Sequence, residues 1–235
     1  MALCAVIASI DGGELAACAS AAGFAEVISV RDGLSALRRL RERTADALIA
    51  DAVLPGLDGL GLFRRVLESP LRVHPAMVLA LPEGMSAPPH EEFAAVERPL
   101  SVERVRAALE SQRPENRAIP EEKRRRAREA LSSLGVPDHR GTDCLARAVE
   151  LAWLDGRYLS ALTSRLYPAV GRSFGMDGRA VERAIRYVID AAWRMGEIEA
   201  QYQIFGNTVD ARRGSPTCGE MIARIADILR WEGRA

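Results

Sequence analysis

The N-terminal half of the chain alternates short apolar runs with stretches of helical periodicity. Short apolar runs are typical of buried strands, whereas apolar positions that recur every three or four residues indicate amphipathic helices. The predicted strands cover 4–8, 27–30, 47–50, 77–81 and 94–96, and the predicted helices lie near 14–22, 34–42, 58–67 and 101–110. Five strands that alternate with helical stretches predict a repeated strand-helix unit, and hence a five-stranded parallel sheet with helices on both faces. Such folds place their chemistry at the carboxyl ends of the strands.

The pattern changes beyond residue 112. Residues 113–127 are polar at their start, contain Pro114 and Pro120 and lack an apolar period there, which is typical of a linker. Helical periodicity then continues toward the C-terminus, with breaks such as Gly214-Ser215-Pro216. We therefore predict an α/β domain over 1–112, a linker over 113–127 and an all-α domain over 128–235.

The composition of the chain excludes functions that depend on an overall charged surface. Its 235 residues include 32 Lys+Arg and 32 Asp+Glu, and 48% are hydrophobic, as in an ordinary folded protein. The positive charge lies in the second half, because residues 1–120 hold 13 basic against 16 acidic residues and the rest hold 19 against 16. No apolar run approaches the roughly 20 residues that span a bilayer, so we expect a cytoplasmic protein without a membrane partner.

Asp51 ends the third predicted strand and opens the first candidate site. It is followed by Ala-Val-Leu-Pro-Gly-Leu-Asp-Gly over residues 52–59. This stretch resembles the phosphoacceptor segment of response-regulator receiver domains, which implies a flavodoxin-like fold. On that resemblance Asp51 accepts a phosphoryl group while Mg²⁺, held by Asp11 and Asp51, neutralises the phosphoryl oxygens.

Three positions depart from the receiver pattern. Ile10 replaces one acid of the pair that holds Mg²⁺ in the family, so that only Asp11 remains. Leu81 stands where the family has a hydroxyl residue, and Arg98 stands where it has a lysine. Lys123 is the only lysine of the chain, so no lysine of the first half can take that role. We therefore expect a receiver that is phosphorylated weakly or not at all, with Mg²⁺ as a cofactor only if the receiver is active.

The second candidate site is a predicted helix that begins after Asp177, a residue type that favours helix N-caps. One face of this helix is apolar, with Val181, Ala184, Ile185, Val188 and Ala192 at helical spacing. The opposite face carries Arg179, Arg183 and Arg186, with Glu182 at its edge. The spacing alone fits two interpretations, an ordinary solvated face and a surface that reads DNA.

A longer match to a known family favours the interpretation that this face reads DNA. Residues from about 128 to the C-terminus resemble the effector domain of the stage-zero sporulation master regulator family. The matching segments are Leu134 to Pro137, Leu166 to Pro168, Val181 to Arg186, Ala192-Trp193, Phe205 to Val209 and Pro216-Thr217. The resemblance implies a helical bundle with a helix-turn-helix, in which Glu182, Arg183 and Arg186 face the bases of an operator box. Arg179 and Ala180 depart from the family's Ser-Arg, so the operator sequence is not fixed by the resemblance.

These patterns predict a sequence-specific, DNA-binding transcriptional regulator of the response-regulator type with an atypical receiver. The resemblance implies that its partners are double-stranded DNA with operator boxes like those of the sporulation family, a second copy of the chain in a homodimer, and a histidine kinase or phosphotransferase. The alternative is an interaction module that does not bind DNA and sequesters a kinase, a phosphotransferase or a paralogous regulator. Because the sequence has no P-loop, metal cluster or nucleophile and base in a recognisable motif, we do not expect an enzyme.

Overall fold

The computed structural model describes residues 3–87, 90–206 and 214–231. Its contacts divide the chain into two compact units, residues 1–119 and residues 120–235. The first unit is α/β and the second is helical, so the predicted fold class is confirmed. No helix among the described residues is long and apolar enough to cross a membrane.

The first unit contains five strands and four helices among the residues that the structure describes. They are β1 (Cys4–Ala8), α1 (Gly13–Ala21), β2 (Glu26–Val30), α2 (Gly33–Glu42), β3 (Ala47–Asp51), α3 (Gly59–Glu68), β4 (Ala76–Leu81), β5 (Ala94–Glu97) and α4 (Val102–Ser111). All neighbouring strands are parallel, and their order is β2-β1-β3-β4-β5. This is the order of the flavodoxin-like fold, which places the ends of β1 and β3 side by side.

Both faces of the sheet are covered, which is why its strands read as continuous apolar runs. Along β1, Val6 packs into the core shared with α2 and α3, whereas Ile7 packs into the core shared with α1 and α4. The same alternation holds along β3 and β4. The carboxyl edge of the sheet is therefore fixed from both sides.

The connection between β4 and β5 differs from the predicted repeat of strand and helix. Among its described residues, 82–87 and 90–93, none is helical. Pro82 and Gly84 lie at its start, and both residue types disfavour a helix. Phe93 anchors the end of this connection, because its side chain is buried and its ring centroid lies 5.3 Å from that of Phe63 on α3.

The segment 113–127, predicted as a linker, is divided in the structure between the first unit, which ends at residue 119, and the helix that begins at Glu121. Arg117 is buried, and its Nη1 and Nη2 atoms donate to the backbone oxygens of Pro75 and His74, each at 2.8 Å. Burial lowers the pKa of Arg117 to about 10. A new helix already begins at Glu121, so residues 118–120 alone separate it from this anchored arginine. A buried arginine looks like a surface residue in a sequence pattern, which is why the segment resembled a linker.

The second unit is built from helices that surround α6. Its elements are α5 (Glu121–Ser133), α6 (Arg140–Leu154), a 3-10 turn (Gly156–Ser160), a π turn (Leu162–Leu166), α7 (Tyr167–Phe174), α8 (Gly178–Met195), α9 (Ile198–Phe205) and α10 (Cys218–Trp231). α6 contacts α5, α7, α8 and α10, and Trp153 near its end is fully buried. The segment 207–209, part of the resemblance to the sporulation family, lies outside the described residues.

Candidate functional site

Asp51 ends β3 at the carboxyl edge of the sheet, and the turn after it is fixed by local chemistry. Asp58 caps α3 by accepting a hydrogen bond from the backbone nitrogen of Gly61 at 2.6 Å. Gly59 begins the helix, and a Cβ atom there would lie 2.5 Å from the carbonyl oxygen of Asp51. Only glycine lets the start of α3 approach Asp51 this closely, so the Asp-Gly pair sets the geometry around the candidate acceptor.

Both carboxylate oxygens of Asp51 are engaged by side chains of the same unit. The hydroxyl of Ser9 donates to Oδ2 at 2.5 Å, and Nη2 of Arg98 donates to Oδ1 at 2.8 Å. Ser9 is buried and Asp51 is 19% exposed, so these bonds are shielded from bulk water. Ser9 was not among the predicted site residues, because the receiver pattern names only the acids that follow it.

Arg98 also bonds a second carboxylate. Its Nη1 atom donates to Glu14, which lies in the first turn of α1 and also accepts a hydrogen bond from the backbone nitrogen of Leu100. The hydrogen bond to Asp51 raises the pKa of the Arg98 guanidinium, whose positive charge is therefore permanent. One side chain thus links the end of β3, the start of α1 and the segment that follows β5.

Among the described residues, none of the other predicted receiver positions forms a hydrogen bond with Asp51. Leu81 packs into the core shared with α2 and α3, so it presents no polar group to the site. Ile10 is 60% exposed in the loop after β1, and Asp11 beside it is exposed. The described residues contain no group of three or more acidic, His or Cys side chains that could hold a metal ion.

The donor set at Asp51 does not fit Mg²⁺. This cation binds proteins through carboxylates while keeping several of its waters, and here the carboxylate of Asp51 is already neutralised by a guanidinium. Oδ1 of Asp51 accepts from Arg98 at 2.8 Å and Oδ2 accepts from Ser9 at 2.5 Å, so a metal ion would have to displace one of these donors. Asp11 is then the one predicted ligand left, which is too few for a site.

The second site is a helix-turn-helix formed by α7 and α8. α7 ends at Gly175, whose φ of 62° is the left-handed conformation that glycine adopts readily. Asp177 then caps α8 by accepting a hydrogen bond from the backbone nitrogen of Ala180 at 2.7 Å. A Cβ atom at Gly171 would lie 2.2 Å from the backbone oxygen of Met176, so the tight turn requires a glycine in α7.

The two faces of α8 match the predicted amphipathic pattern. The buried face consists of Val181, Ile185, Val188, Ile189 and Ala192. Arg179, Arg183 and Arg186 are exposed on the other side. Arg186 bonds Glu182 at 2.6 Å, whereas no described residue forms an ion pair with Arg179 or Arg183. The face therefore offers two unpaired guanidinium groups and one pair that can open toward a ligand.

An aromatic pair that the sequence patterns did not reveal lies beside this face. The ring of His139 is 5.2 Å from that of Tyr187, which is 56% exposed on α8. His139 also caps α6, since its Nδ1 atom accepts from the backbone nitrogen of Gly141 at 2.9 Å. This bond leaves Nε2 as the protonated nitrogen of the neutral ring. No sequence period connects residues 139 and 187, which is why the pair is visible only in the fold.

The other basic run of the second unit is neutralised by its own helix. Arg125 bonds Glu122 and Glu129, and Arg126 bonds Glu122 at 2.7 Å. These pairs at three- and four-residue spacing stabilise an exposed helix. The predicted positive charge of the second half is therefore not a general basic coat, and the unpaired arginines of α8 stand out against it.

A flavodoxin-like α/β unit followed by a helical unit with a helix-turn-helix is the architecture of DNA-binding response regulators. Residues 127–229 match the family model described as sporulation initiation factor Spo0A C terminal. This match confirms the resemblance to the sporulation regulators for the second unit.

Several solved structures are similar to the chain. The CheY-like receiver domain from Methylobacillus flagellatus is 21% identical, with a TM-score of 0.42, and spans 48% of this chain and 100% of that one. The receiver domain of a sensor histidine kinase from Pseudomonas aeruginosa, with a magnesium ion coordinated in its active-site cleft, is 17% identical, with a TM-score of 0.41, over 48% and 98%. Full-length FixJ from B. japonicum is 17% identical, with a TM-score of 0.38, over 85% and 94%.

Proposed function

We propose that this protein is a sequence-specific transcriptional regulator that reads operator DNA with α8 and does so without phosphorylation of Asp51. The observation that carries the first part is the exposed arginine stripe on the second helix of a helix-turn-helix whose opposite face is fully buried. A helix held in this way can enter a major groove without losing its packing.

Each side chain has a role that its chemistry supports. Arg183 and Arg186 each present a planar fork that suits guanine O6 and N7, and Glu182 can accept from cytosine N4. Arg179, in the first turn, is placed to contact a phosphate near the helix start. Because Glu182 and Arg186 bond each other in the free protein, binding exchanges one ion pair for two base contacts. The protein acts as a homodimer on paired boxes in this proposal, as the resemblance implies.

The experiment compares duplexes that carry tandem operator boxes of the sporulation type with scrambled duplexes of equal composition. The full chain is titrated at one stated salt concentration, because phosphate contacts make affinity depend on salt. Specific binding that Arg186→Ala abolishes, and that Arg125→Ala in α5 retains, supports the proposal. Equal affinity for operator and scrambled duplexes contradicts it and favours the sequestering module, which pull-down with a histidine phosphotransferase then tests.

The second part, independence from phosphorylation, rests on the surroundings of Asp51. The carboxylate of Asp51 has to exchange a bond to Ser9 or Arg98 before it can attack a phosphodonor, and Leu81 offers no hydroxyl to the product. We expect no phosphorylated species by intact mass spectrometry after incubation with acetyl phosphate and Mg²⁺. Stoichiometric modification that disappears in Asp51→Ala would show instead that the receiver is a working switch.

A further inference from the structure

We propose that Arg98 is a built-in cation that replaces the divalent metal of this receiver and keeps its acceptor site closed. The inference starts from the mismatch between the expected Mg²⁺ site and the guanidinium found at Asp51. It concerns the first unit alone and stands or falls independently of DNA binding by the second.

The geometry is that of one cation shared by two anions. Nη2 of Arg98 bonds Oδ1 of Asp51 at 2.8 Å, and Nη1 bonds Oε2 of Glu14. The side chains of Arg98, Asp51 and Glu14 are 29%, 19% and 44% exposed, so the bond to Asp51 is the better shielded of the two. Planar guanidinium donors suit this bridge, whereas the ammonium of a lysine is a single point charge.

The departures from the receiver pattern complement each other. Ile10 removes one negative charge from the loop after β1, so less positive charge is needed to neutralise the site. Arg98 carries the same charge as the family's lysine, but its two terminal nitrogens bond Asp51 and Glu14 at once. Ser9 completes the arrangement by bonding the second oxygen of Asp51. Together these residues replace a bound dication by an ion pair that the protein cannot lose to the solvent.

A direct consequence is that removal of Arg98 should create a metal site. The carboxylates of Asp51 and Glu14 would lose their shared positive partner, and the exposed Asp11 lies on the same edge of the sheet. Uncompensated carboxylates close to one another attract a hard dication. Wild-type protein should therefore show little affinity for Mg²⁺, and the variant without the guanidinium should show more.

The experiment is a calorimetric titration of the full chain with MgCl₂, repeated with MnCl₂. Arg98→Ala should bind with an affinity at least about tenfold higher than wild type, and the double variant Arg98→Ala/Asp51→Asn should lose the gain. The matched control is Arg43→Ala, which removes an arginine that bonds Glu26 through both terminal nitrogens in the same unit. That variant should titrate like wild type.

Two outcomes overturn the proposal: wild type that binds Mg²⁺ as tightly as Arg98→Ala, or a folded Arg98→Ala that gains no affinity. Far-UV circular dichroism establishes whether each variant is folded. If Arg98→Ala is not, Arg98→Gln carries the test, because it keeps hydrogen-bond donors at the position and removes only the charge. The titration contains no DNA, so either of these outcomes leaves the proposed binding of operators by α8 unaffected.

Discussion

Two pairs of arginines, one in each unit of this protein, have opposite surroundings. In the first unit, Arg98 bonds two carboxylates and Arg117 bonds two backbone oxygens, so both guanidinium groups are used within the fold. In the second unit, Arg179 and Arg183 are exposed on α8 without an ion pair to any described residue. The difference shows that the number of basic residues does not locate a binding surface.

The two units also differ in how they use the polar groups at their candidate sites. The first unit keeps the framework of a receiver, with its sheet order and its capped turn after Asp51, but its polar groups at the acceptor bond one another. The second unit keeps its polar groups available on a buried scaffold. A site whose donors are satisfied internally is rigid, whereas an unsatisfied face is ready for a partner. The predictions below test this division.

The largest expected effect comes from an internal arginine. Arg117→Ala should lower the free energy of unfolding of the first unit by about 2–4 kcal/mol, because two buried carbonyl oxygens would lose their donors. Urea denaturation followed by far-UV circular dichroism measures it. Every Trp and Tyr lies beyond residue 150, so intrinsic fluorescence follows the second unit and should change little. Arg113→Ala, at a 62% exposed side chain, is the control and should have almost no effect.

Removing an exposed arginine of α8 should weaken DNA binding without changing the stability of the fold. Arg183→Ala should weaken specific operator binding by about 1–3 kcal/mol through loss of a base contact, and leave both unfolding transitions in place. Fluorescence anisotropy with labelled duplexes measures the affinity. Equal weakening on operator and scrambled DNA would assign Arg183 to the phosphates rather than the bases.

A smaller effect should follow from loss of the cap of the reading helix. Asp177→Ala should destabilise the second unit by about 1 kcal/mol, since the backbone nitrogen of Ala180 loses its acceptor. Tryptophan fluorescence during denaturation reports this change. The preference between matched and mismatched operators should persist, and its collapse would mean that the cap orients the base-reading side chains.

The smallest effect concerns the paired arginines of α5. Hydrogen bonds from Arg125 and Arg126 lower the pKa of Glu122 below its ordinary value of 4.5. Its contribution to stability is therefore present above that value and is lost as the pH falls through the lower pKa of the folded state. Glu122→Gln should reduce the Tm slightly at pH 7, and the difference from wild type should disappear in acid. A difference that grows in acid contradicts this assignment.

Much of this architecture was accessible from the sequence, because the periods of burial are local. The five strands follow from short continuous apolar runs, α8 follows from helical apolar spacing, and Asp51 follows from the turn after β3. The connection after β4 was not predictable in the same way, since Phe93 is held by a distant ring on α3. The anchoring of Arg117 likewise depends on residues 42 and 43 positions away in the chain.

The candidate site shows the same limit at the level of single side chains. The substitutions at Ile10, Leu81 and Arg98 were visible against the receiver pattern and indicated an atypical site. The hydrogen bonds around Asp51 could not be predicted in this way, because the bond from Ser9 to Asp51 joins residues from two neighbouring strand ends. On α8, the sequence predicted which residues are exposed, whereas the pairing of Glu182 with Arg186 required side-chain geometry.

The most direct test of the account is operator affinity of the wild-type protein with and without acetyl phosphate and Mg²⁺, measured alongside Asp51→Asn. If Asp51 is not phosphorylated and the exposed arginines of α8 can contact DNA, the wild-type affinity is the same with and without the phosphodonor. Asp51→Asn then still binds the operator specifically. A phosphodonor that raises wild-type affinity tenfold or more, with no such rise in Asp51→Asn, would contradict the account and make the receiver a phosphorylation-driven switch.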